Sequence, residues 1–76
     1  MVSLTISLNS INAVKDFVTL ANLHDFEINL KLGKYIVDGK SIMGIFGLDL
    51  SKNLILEAAC DAGNEFIKQL EPFIVG

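Results

Sequence analysis

The chain has 76 residues, of which 51% are hydrophobic and 20% charged, and its formal net charge is −3. This length predicts a single domain over residues 1–76, and the hydrophobic content excludes an intrinsically disordered chain. The six lysines are scattered and outnumbered by acids, and arginine is absent, so nucleic acid is not an expected partner. We find no basic, apolar leader and no apolar stretch of membrane-spanning length, so we expect a cytoplasmic protein with no membrane partner.

A strand and a helix are predicted in the first third of the chain. Residues 2–8 alternate between apolar and polar side chains, which indicates a strand with one buried and one wet face. Asn9 and Ser10 are both favourable N-cap residues, and the apolar spacing after them is helical up to about Leu23. The predicted buried face of this helix consists of Ile11, Val14, Phe17, Val18 and Ala21, with Leu20 at its edge.

The next predicted element is a β-hairpin. Residues 26–32 alternate a second time, with apolar side chains at the even positions. Gly33-Lys34 fits a two-residue hairpin turn because glycine adopts the positive φ that such turns require. Residues 35–37 form the return strand, and the turn pair Asp38-Gly39 breaks it.

Residues 37–50, with the sequence VDGKSIMGIFGLDL, predict a turn and then a short apolar helix. Ser41 stands directly before the apolar run, so we expect it to be the N-cap. The helix is more apolar than one buried face requires, so it is either sunk in the core or presents an apolar patch to a partner. We expect about half of its large side chains to be buried. The four in question are Ile42, Met43, Ile45 and Phe46.

The last predicted elements are a strand and a helix. Residues 54–60 alternate, with Cys60 on the inward face. Asp61 is the predicted N-cap of the final helix, and Pro72 is expected to end or bend it. Its core-facing stripe consists of Phe66, Leu70 and Phe73, with Ile67 at the flank.

The order of the predicted elements indicates an α+β fold. It runs strand, helix, strand, strand, short helix, strand, helix, and each long strand keeps one polar face. Such strands favour one antiparallel or mixed sheet with helices packed on one side. A doubly wound sheet is excluded because its strands would be apolar on both faces.

With these residues in view, the chain resembles the HPr family, the histidine-containing phosphocarrier proteins of the bacterial sugar phosphotransferase system. The strongest part of this resemblance is KSIMG at residues 40–44, which matches the family's motif around a regulatory serine. The element order matches over nearly the whole chain. The resemblance implies an open-faced β-sandwich, a four-stranded antiparallel sheet of order 1-4-2-3 with three helices on one face. It also implies phosphorylation at Ser41 and partner contacts at Lys40, Ile42 and Met43.

The first helix departs from the family pattern. The family has GIHARP where this chain has SINAVK at residues 10–15. By this match Asn12 occupies the phosphohistidine position, Val14 that of the arginine and Lys15 that of the proline. An amide nitrogen is no nucleophile because resonance holds its lone pair, and valine offers phosphate no donor. We therefore expect no catalytic residue here. In this respect the chain is similar to the catabolite-repression HPr-like proteins, which lack the histidine and keep the serine.

Two other residues, a histidine and a cysteine, have reactive side chains. His24, the sole histidine, is predicted to be a solvent-facing loop residue at the C-terminal end of the first helix, where the helix dipole repels phosphate. Cys60 is predicted to be a buried, inert thiol, and a single cysteine permits no internal disulfide. We expect no metal, no cofactor and no enzymatic activity.

Three interpretations of function stay open at this point. The first is a regulatory protein acting through protein contacts, with HPr kinase or a transcriptional regulator as partner and Ser41 as both cap and switch. The second is a phosphocarrier that uses another residue, for which His24 is the test case. The third is a scaffold or ligand-binding module that works without phosphorylation. The sequence predicts no oligomeric state.

Overall fold

The computed structural model describes residues 1–75, which form four strands, three α-helices and one 3-10 turn. Gly76, the last residue of the predicted single domain, lies outside the described residues. In chain order the elements are β1 (Val2–Ile6), α1 (Ile11–Ala21), β2 (Ile28–Leu32), β3 (Tyr35–Asp38), α2 (Ile42–Phe46), β4 (Leu54–Ala58), α3 (Glu65–Gln69) and the 3-10 turn Glu71–Phe73.

The strands lie in the order β1-β4-β2-β3, and each neighbouring pair is antiparallel. β4 is flanked by β1 and β2, so Leu56 faces Leu4 on one side and Leu30 on the other. The predicted α+β fold, with sheet order 1-4-2-3 and the helices on one face, is confirmed.

The core lies between the helices and the inner face of the sheet. Phe17 of α1 and Phe66 of α3 are fully buried and cluster with the inward side chains of the strands. Fully burying an aromatic or aliphatic side chain contributes about 1.5–3 kcal/mol, so this cluster supplies the main favourable term in folding. The strand alternation in the sequence gives the inner face correctly, because Leu54, Leu56 and Ala58 are all buried.

The hairpin between β2 and β3 follows the sequence prediction. Leu32 pairs with Tyr35 across the two-residue turn, and Gly33 has a φ of 59°. A glycine with positive φ at the first central position is typical of a type II′ turn, whose twist suits a hairpin.

Several predicted boundaries are wrong. β4 ends at Ala58, before Cys60, because after a last hydrogen bond from the Ala59 N–H to the Glu27 C=O the chain turns towards α3. The N-cap of α3 is Asn64, whose side chain accepts from the backbone N–H of Phe66 at 2.9 Å. Asp61 instead closes the preceding turn, where its C=O accepts from the N–H of Asn64. Pro72 does end α3 as predicted, since the chain continues as the 3-10 turn.

The end of the chain lies along the outer edge of β1. The N–H of Ser7 donates to the C=O of Phe73 at 2.9 Å, and the N–H of Val75 donates to the C=O of Thr5 at 3.0 Å. Ile74 forms an antiparallel bridge with Ile6. These contacts pair backbone groups that would otherwise be exposed at this edge of the sheet.

Candidate functional site

The turn before α2 is held by backbone and side-chain hydrogen bonds. The Asp38 carboxylate accepts from the N–H of Lys40 at 2.9 Å, and the Asp38 C=O accepts from the N–H of Ser41 at 3.0 Å. Gly39 is buried, and its N–H donates to the C=O of Ile28 at 2.8 Å. A Cβ at this position would lie 2.7 Å from the Ile28 Cγ2 atom, so glycine is needed here for close approach rather than for a positive φ.

Ser41 is the N-cap of α2, as the sequence predicts. Its backbone is extended, with φ −105° and ψ 109°, and its hydroxyl oxygen accepts from the N–H of Gly44 at 3.2 Å. The residue is half-buried, with half-buried Lys40 directly before it. The C=O of Lys40 accepts from the Asn22 side-chain amide at 3.3 Å, and the same amide donates to the C=O of Val18. The end of α1 therefore holds the segment that leads into α2.

α2 divides its apolar side chains between the core and the surface. Ile45 is fully buried and Ile42 partly buried, whereas Met43 is 78% exposed and Phe46 40% exposed. Of the two side chains expected in the core, Ile45 is buried there, and Ile42 packs against it while staying partly exposed. The two exposed ones form an apolar surface one turn beyond the Ser41 hydroxyl.

An open groove of about 360 Å³ adjoins the turn before α2. Its charged lining consists of Lys40 and three acids, Asp25, Glu27 and Asp38, and the uncharged residues are Phe26, Ile28 and Asn29. The excess of acid disfavours an anionic ligand in this groove.

The first turn of α1 has a similar cap and different side chains. The Ser10 hydroxyl oxygen accepts from the N–H of Ala13 at 3.1 Å. Asn12 and Lys15 are exposed, but Val14 is fully buried. The position that the resemblance matches to the phosphate-binding arginine therefore points into the core in this chain.

The prediction that Ile11 belongs to the core face of α1 is wrong. Ile11 is 64% exposed, whereas Val14, Phe17 and Ala21 are buried. Ile11 is the first residue of the helix, and helical spacing alone does not show where the underlying core stops.

His24 differs from its prediction as a solvent-facing residue. Its ring is half-buried and lies 5.0 Å from the ring of Phe66 and 5.2 Å from that of Phe26, measured between centroids. Its Nε2 atom is 3.0 Å from the Oε1 atom of Gln69, which connects the end of α1 to α3. The sequence carries no signal for this contact, since the partners are 45 residues apart.

Cys60 lies beyond the end of β4 and is only partly buried, so its predicted place inside the strand is wrong. Desolvation is the main cause that raises the pKa of the Cys60 thiol, and Asp61 nearby acts in the same direction. A raised pKa leaves less thiolate at neutral pH, which lowers the reactivity of the thiol.

The part of the chain that the structure describes has neither a metal cluster nor a membrane-spanning helix. Over residues 1–75, histidine, cysteine, aspartate and glutamate side chains form no group of three that could hold a metal ion. Within the same range, no helix combines the length and the apolar character needed to cross a membrane.

Solved structures with the same fold identify the class of protein. The chain superposes on a crystal structure of HPr-C-His from Thermoanaerobacter tengcongensis with a TM-score of 0.77 and 30% sequence identity, covering 92% of this chain and 86% of that one. It superposes on phosphocarrier protein HPr from Bacillus anthracis str. Ames with a TM-score of 0.71 and 19% identity, covering 97% and 96%. Neither the family models nor the curated proteins give a match.

These likenesses define the protein first as an open-faced α+β sandwich of the HPr type. Because the identity with the Thermoanaerobacter protein reaches 30% over most of both chains, the protein belongs to the HPr family. The resemblance carried by KSIMG and the element order is thereby confirmed at the level of the family. The match of Asn12 to the phosphohistidine position and the roles of Lys40, Ser41, Ile42 and Met43 stay predictions.

Proposed function

We propose that this chain is a cytoplasmic, regulatory member of the HPr family that acts through protein contacts at α2 and is switched by phosphorylation of Ser41. The proposal rests on one observation. Ser41 stands between Lys40 and the exposed apolar side chains of Met43 and Phe46. A charge change at Ser41 would therefore occur beside the surface that a partner would cover.

The surroundings of Ser41 favour a phosphoserine. Its hydroxyl oxygen accepts from the N–H of Gly44, so the oxygen already points at the first turn of α2. A phosphate there would meet unpaired N–H groups and the ammonium group of Lys40. In the transfer, the Ser41 oxygen would attack the γ-phosphorus of ATP, the bond to the β-phosphate oxygen would break, and the hydroxyl proton would pass to a base of the kinase.

We also propose that no histidine phosphotransfer takes place at the start of α1, and the residues there support this. Asn12 is exposed at the first turn and has an amide in place of an imidazole. Val14 is buried and presents no donor to the surface. We infer that this member of the family has lost the carrier chemistry at the usual position.

A phosphocarrier that uses His24 is the alternative, and the surroundings of His24 weigh against it. Nε2 faces the Gln69 amide oxygen, and the ring packs against Phe26 and Phe66. Phosphorylation at Nε2 would break that contact. The ring also lies at the C-terminal end of α1, whose partial negative charge disfavours a phosphate.

The first experiment separates these functions by mass. The protein is incubated with ATP and an HPr kinase, and in parallel with phosphoenolpyruvate and enzyme I, and intact masses are recorded. We expect one phosphate from the kinase, none on Ser41→Ala, and one on the control Ser51→Ala. An unmodified wild type in the kinase reaction would refute the switch. An acid-labile phosphate that is lost in His24→Ala would establish the carrier function instead.

The second experiment tests the contact surface. Met43→Asp places a charge in the exposed apolar surface of α2, and Leu23→Asp places the same charge at an exposed site at the end of α1. We expect the first variant to lose binding to an HPr-regulated partner protein and the second to keep it. Equal binding by both variants would favour a scaffold that works through another surface.

A further inference from the structure

The two edges of the sheet differ in whether they are covered. The edge of β1 is paired with the end of the chain, through the contacts of Phe73 and Val75. At the opposite edge lies β3, whose residues are exposed except for Val37. Among residues 1–75 the backbone of Ile36 makes no hydrogen bond with any segment outside the sheet. A strand edge of this kind is a template for pairing with another strand.

The turn fixes which groups of β3 are free. Leu32 and Tyr35 flank the two-residue turn and form the hydrogen-bonded pair that closes the hairpin. Because such pairs alternate along an antiparallel ladder, Val37 is bonded to Leu30, while Ile36 and Asp38 direct their N–H and C=O groups away from β2. The Asp38 C=O already accepts from the N–H of Ser41, so Ile36 is the residue with both groups free. The free edge thus presents the backbone of Ile36, with Lys34 two residues before it and Asp38 two residues after it.

We propose that β3 pairs antiparallel with β3 of a second copy of this chain, about a two-fold axis at Ile36. In this register Ile36 lies opposite Ile36, and Lys34 lies opposite Asp38 on both sides of the axis. Each copy gives one cation and one anion, so the contact is self-complementary. A shift of two residues in either direction removes the Lys34–Asp38 pairs, and the register with Asp38 opposite Asp38 is repulsive.

The side chains also suit this partner. Ile36 is 61% exposed and lies on the outer face of the sheet, opposite Lys31. In the dimer the two Ile36 side chains touch, and the exposed Tyr35 of each copy faces Val37 of the other. A β3 strand of four residues gives a small contact, so the association is weak and depends on protein concentration.

Charge reversal tests the pairing without disturbing the fold. Lys34→Glu lies in the exposed turn and places a carboxylate opposite each Asp38 of the dimer, while Lys68→Glu makes the same change of net charge at an exposed site on α3. Sedimentation equilibrium over two orders of magnitude in concentration measures association. We expect dimers for the wild type and Lys68→Glu, and a dissociation constant raised about tenfold or more for Lys34→Glu.

A mixing experiment fixes the register. Lys34→Glu and Asp38→Lys should each dimerise poorly alone, whereas a one-to-one mixture should associate like the wild type, since every cross-strand pair in the mixed dimer is attractive. Asp38→Lys also loses the acceptor for the Lys40 N–H, so its circular dichroism spectrum and unfolding midpoint are compared with those of the wild type first. Exchange of the Ile36 amide hydrogen should slow as the wild-type concentration rises. A wild type that stays monomeric, a dimer unaffected by Lys34→Glu, or protection at another surface would each overturn the proposal.

Discussion

α1 and α2 begin with the same capping geometry and differ in what surrounds the first turn. Ser10 and Ser41 each accept from the N–H three residues later, at 3.1 Å and 3.2 Å. Neither first turn contains an acid. Yet α1 follows its cap with an amide and a buried valine, whereas α2 has a lysine before its cap and exposed apolar residues after it. Both serines cap a helix in the same way, and the residues beside each cap decide what the first turn of that helix can bind.

The N-termini of the two helices also differ in the hydrogen bonds and contacts that they receive from other parts of the fold. The segment before α2 is fixed by the Asp38 turn, by Gly39 against Ile28, and by the Asn22 amide on the C=O of Lys40. For Ser10, the hydrogen bonds found are those to its own helix, from Ala13 and Val14. A modification at Ser41 would thus act on a start that two other elements hold in place.

Restoring the arginine that the family resemblance places at position 14 tests this contrast most strongly. Val14 is fully buried, so Val14→Arg must either bury an unpaired charge or force the helix from the core. We expect the free energy of unfolding to fall by about 3–5 kcal/mol, a large part of the stability of a small domain. Urea unfolding followed by circular dichroism measures this loss.

Two control variants separate the effect of a buried charge from the effects of an added arginine and of a lost valine. Ile11→Arg adds the same side chain at an exposed site of the first turn and should change stability by about 0.5 kcal/mol or less. Val14→Ala removes volume without adding charge and should cost about 1–3 kcal/mol. If Val14→Arg is as stable as Ile11→Arg, the start of α1 can accept a surface arginine, and our argument against phosphate binding there is wrong.

The turn before α2 allows a second, smaller test. In Gly39→Ala the new methyl group would lie 2.7 Å from the Ile28 side chain, so we expect a loss of about 1–3 kcal/mol in the free energy of unfolding. Gly63→Ala is the matched control. No atom lies within 4 Å of its added Cβ and its φ is not positive, so it should be neutral or stabilising by about 0.4–1 kcal/mol. Equal thermal stability of the two variants would show that Ile28 of β2 moves aside for the added methyl group, and that the close contact at Gly39 does not fix the turn.

Features that depend on neighbouring residues could be predicted from the sequence. Strand alternation gave the inner face of β4, the glycine at position 33 gave the hairpin, and a serine before an apolar run gave the cap of α2. Each of these is decided within a few residues by side-chain period or backbone conformation. The sheet order came from the family resemblance rather than from periodicity.

Features that depend on distant segments could not be predicted. The exposure of Ile11 depends on how far the core reaches under the first turn of α1, and the half-buried state of His24 depends on Gln69 and Phe66 in α3. Asp61 and Asn64 are both good caps, and the choice between them depends on how the turn of residues 59–64 reaches α3. A single sequence carries no record of these contacts.

The smallest expected effects belong to the caps themselves. Ser10→Ala and Ser41→Ala each remove one acceptor for a helix N–H, so each should lower the free energy of unfolding by about 1 kcal/mol. Ser41→Asp keeps an acceptor at the cap and adds a negative charge, so it should cost less than Ser41→Ala. Chemical denaturation of the three variants in parallel measures the differences.

The aspartate variant also separates the two roles of Ser41. If capping is its whole role, Ser41→Asp and the wild type should bind partner proteins alike, and so should Ser10→Asp, which adds the same charge at the start of α1. If Ser41 is also the switch, partner binding should change with Ser41→Asp and not with Ser10→Asp, while both proteins stay folded. The same change in binding for both variants would mean that net charge, rather than a charge beside Met43 and Phe46, governs the contact.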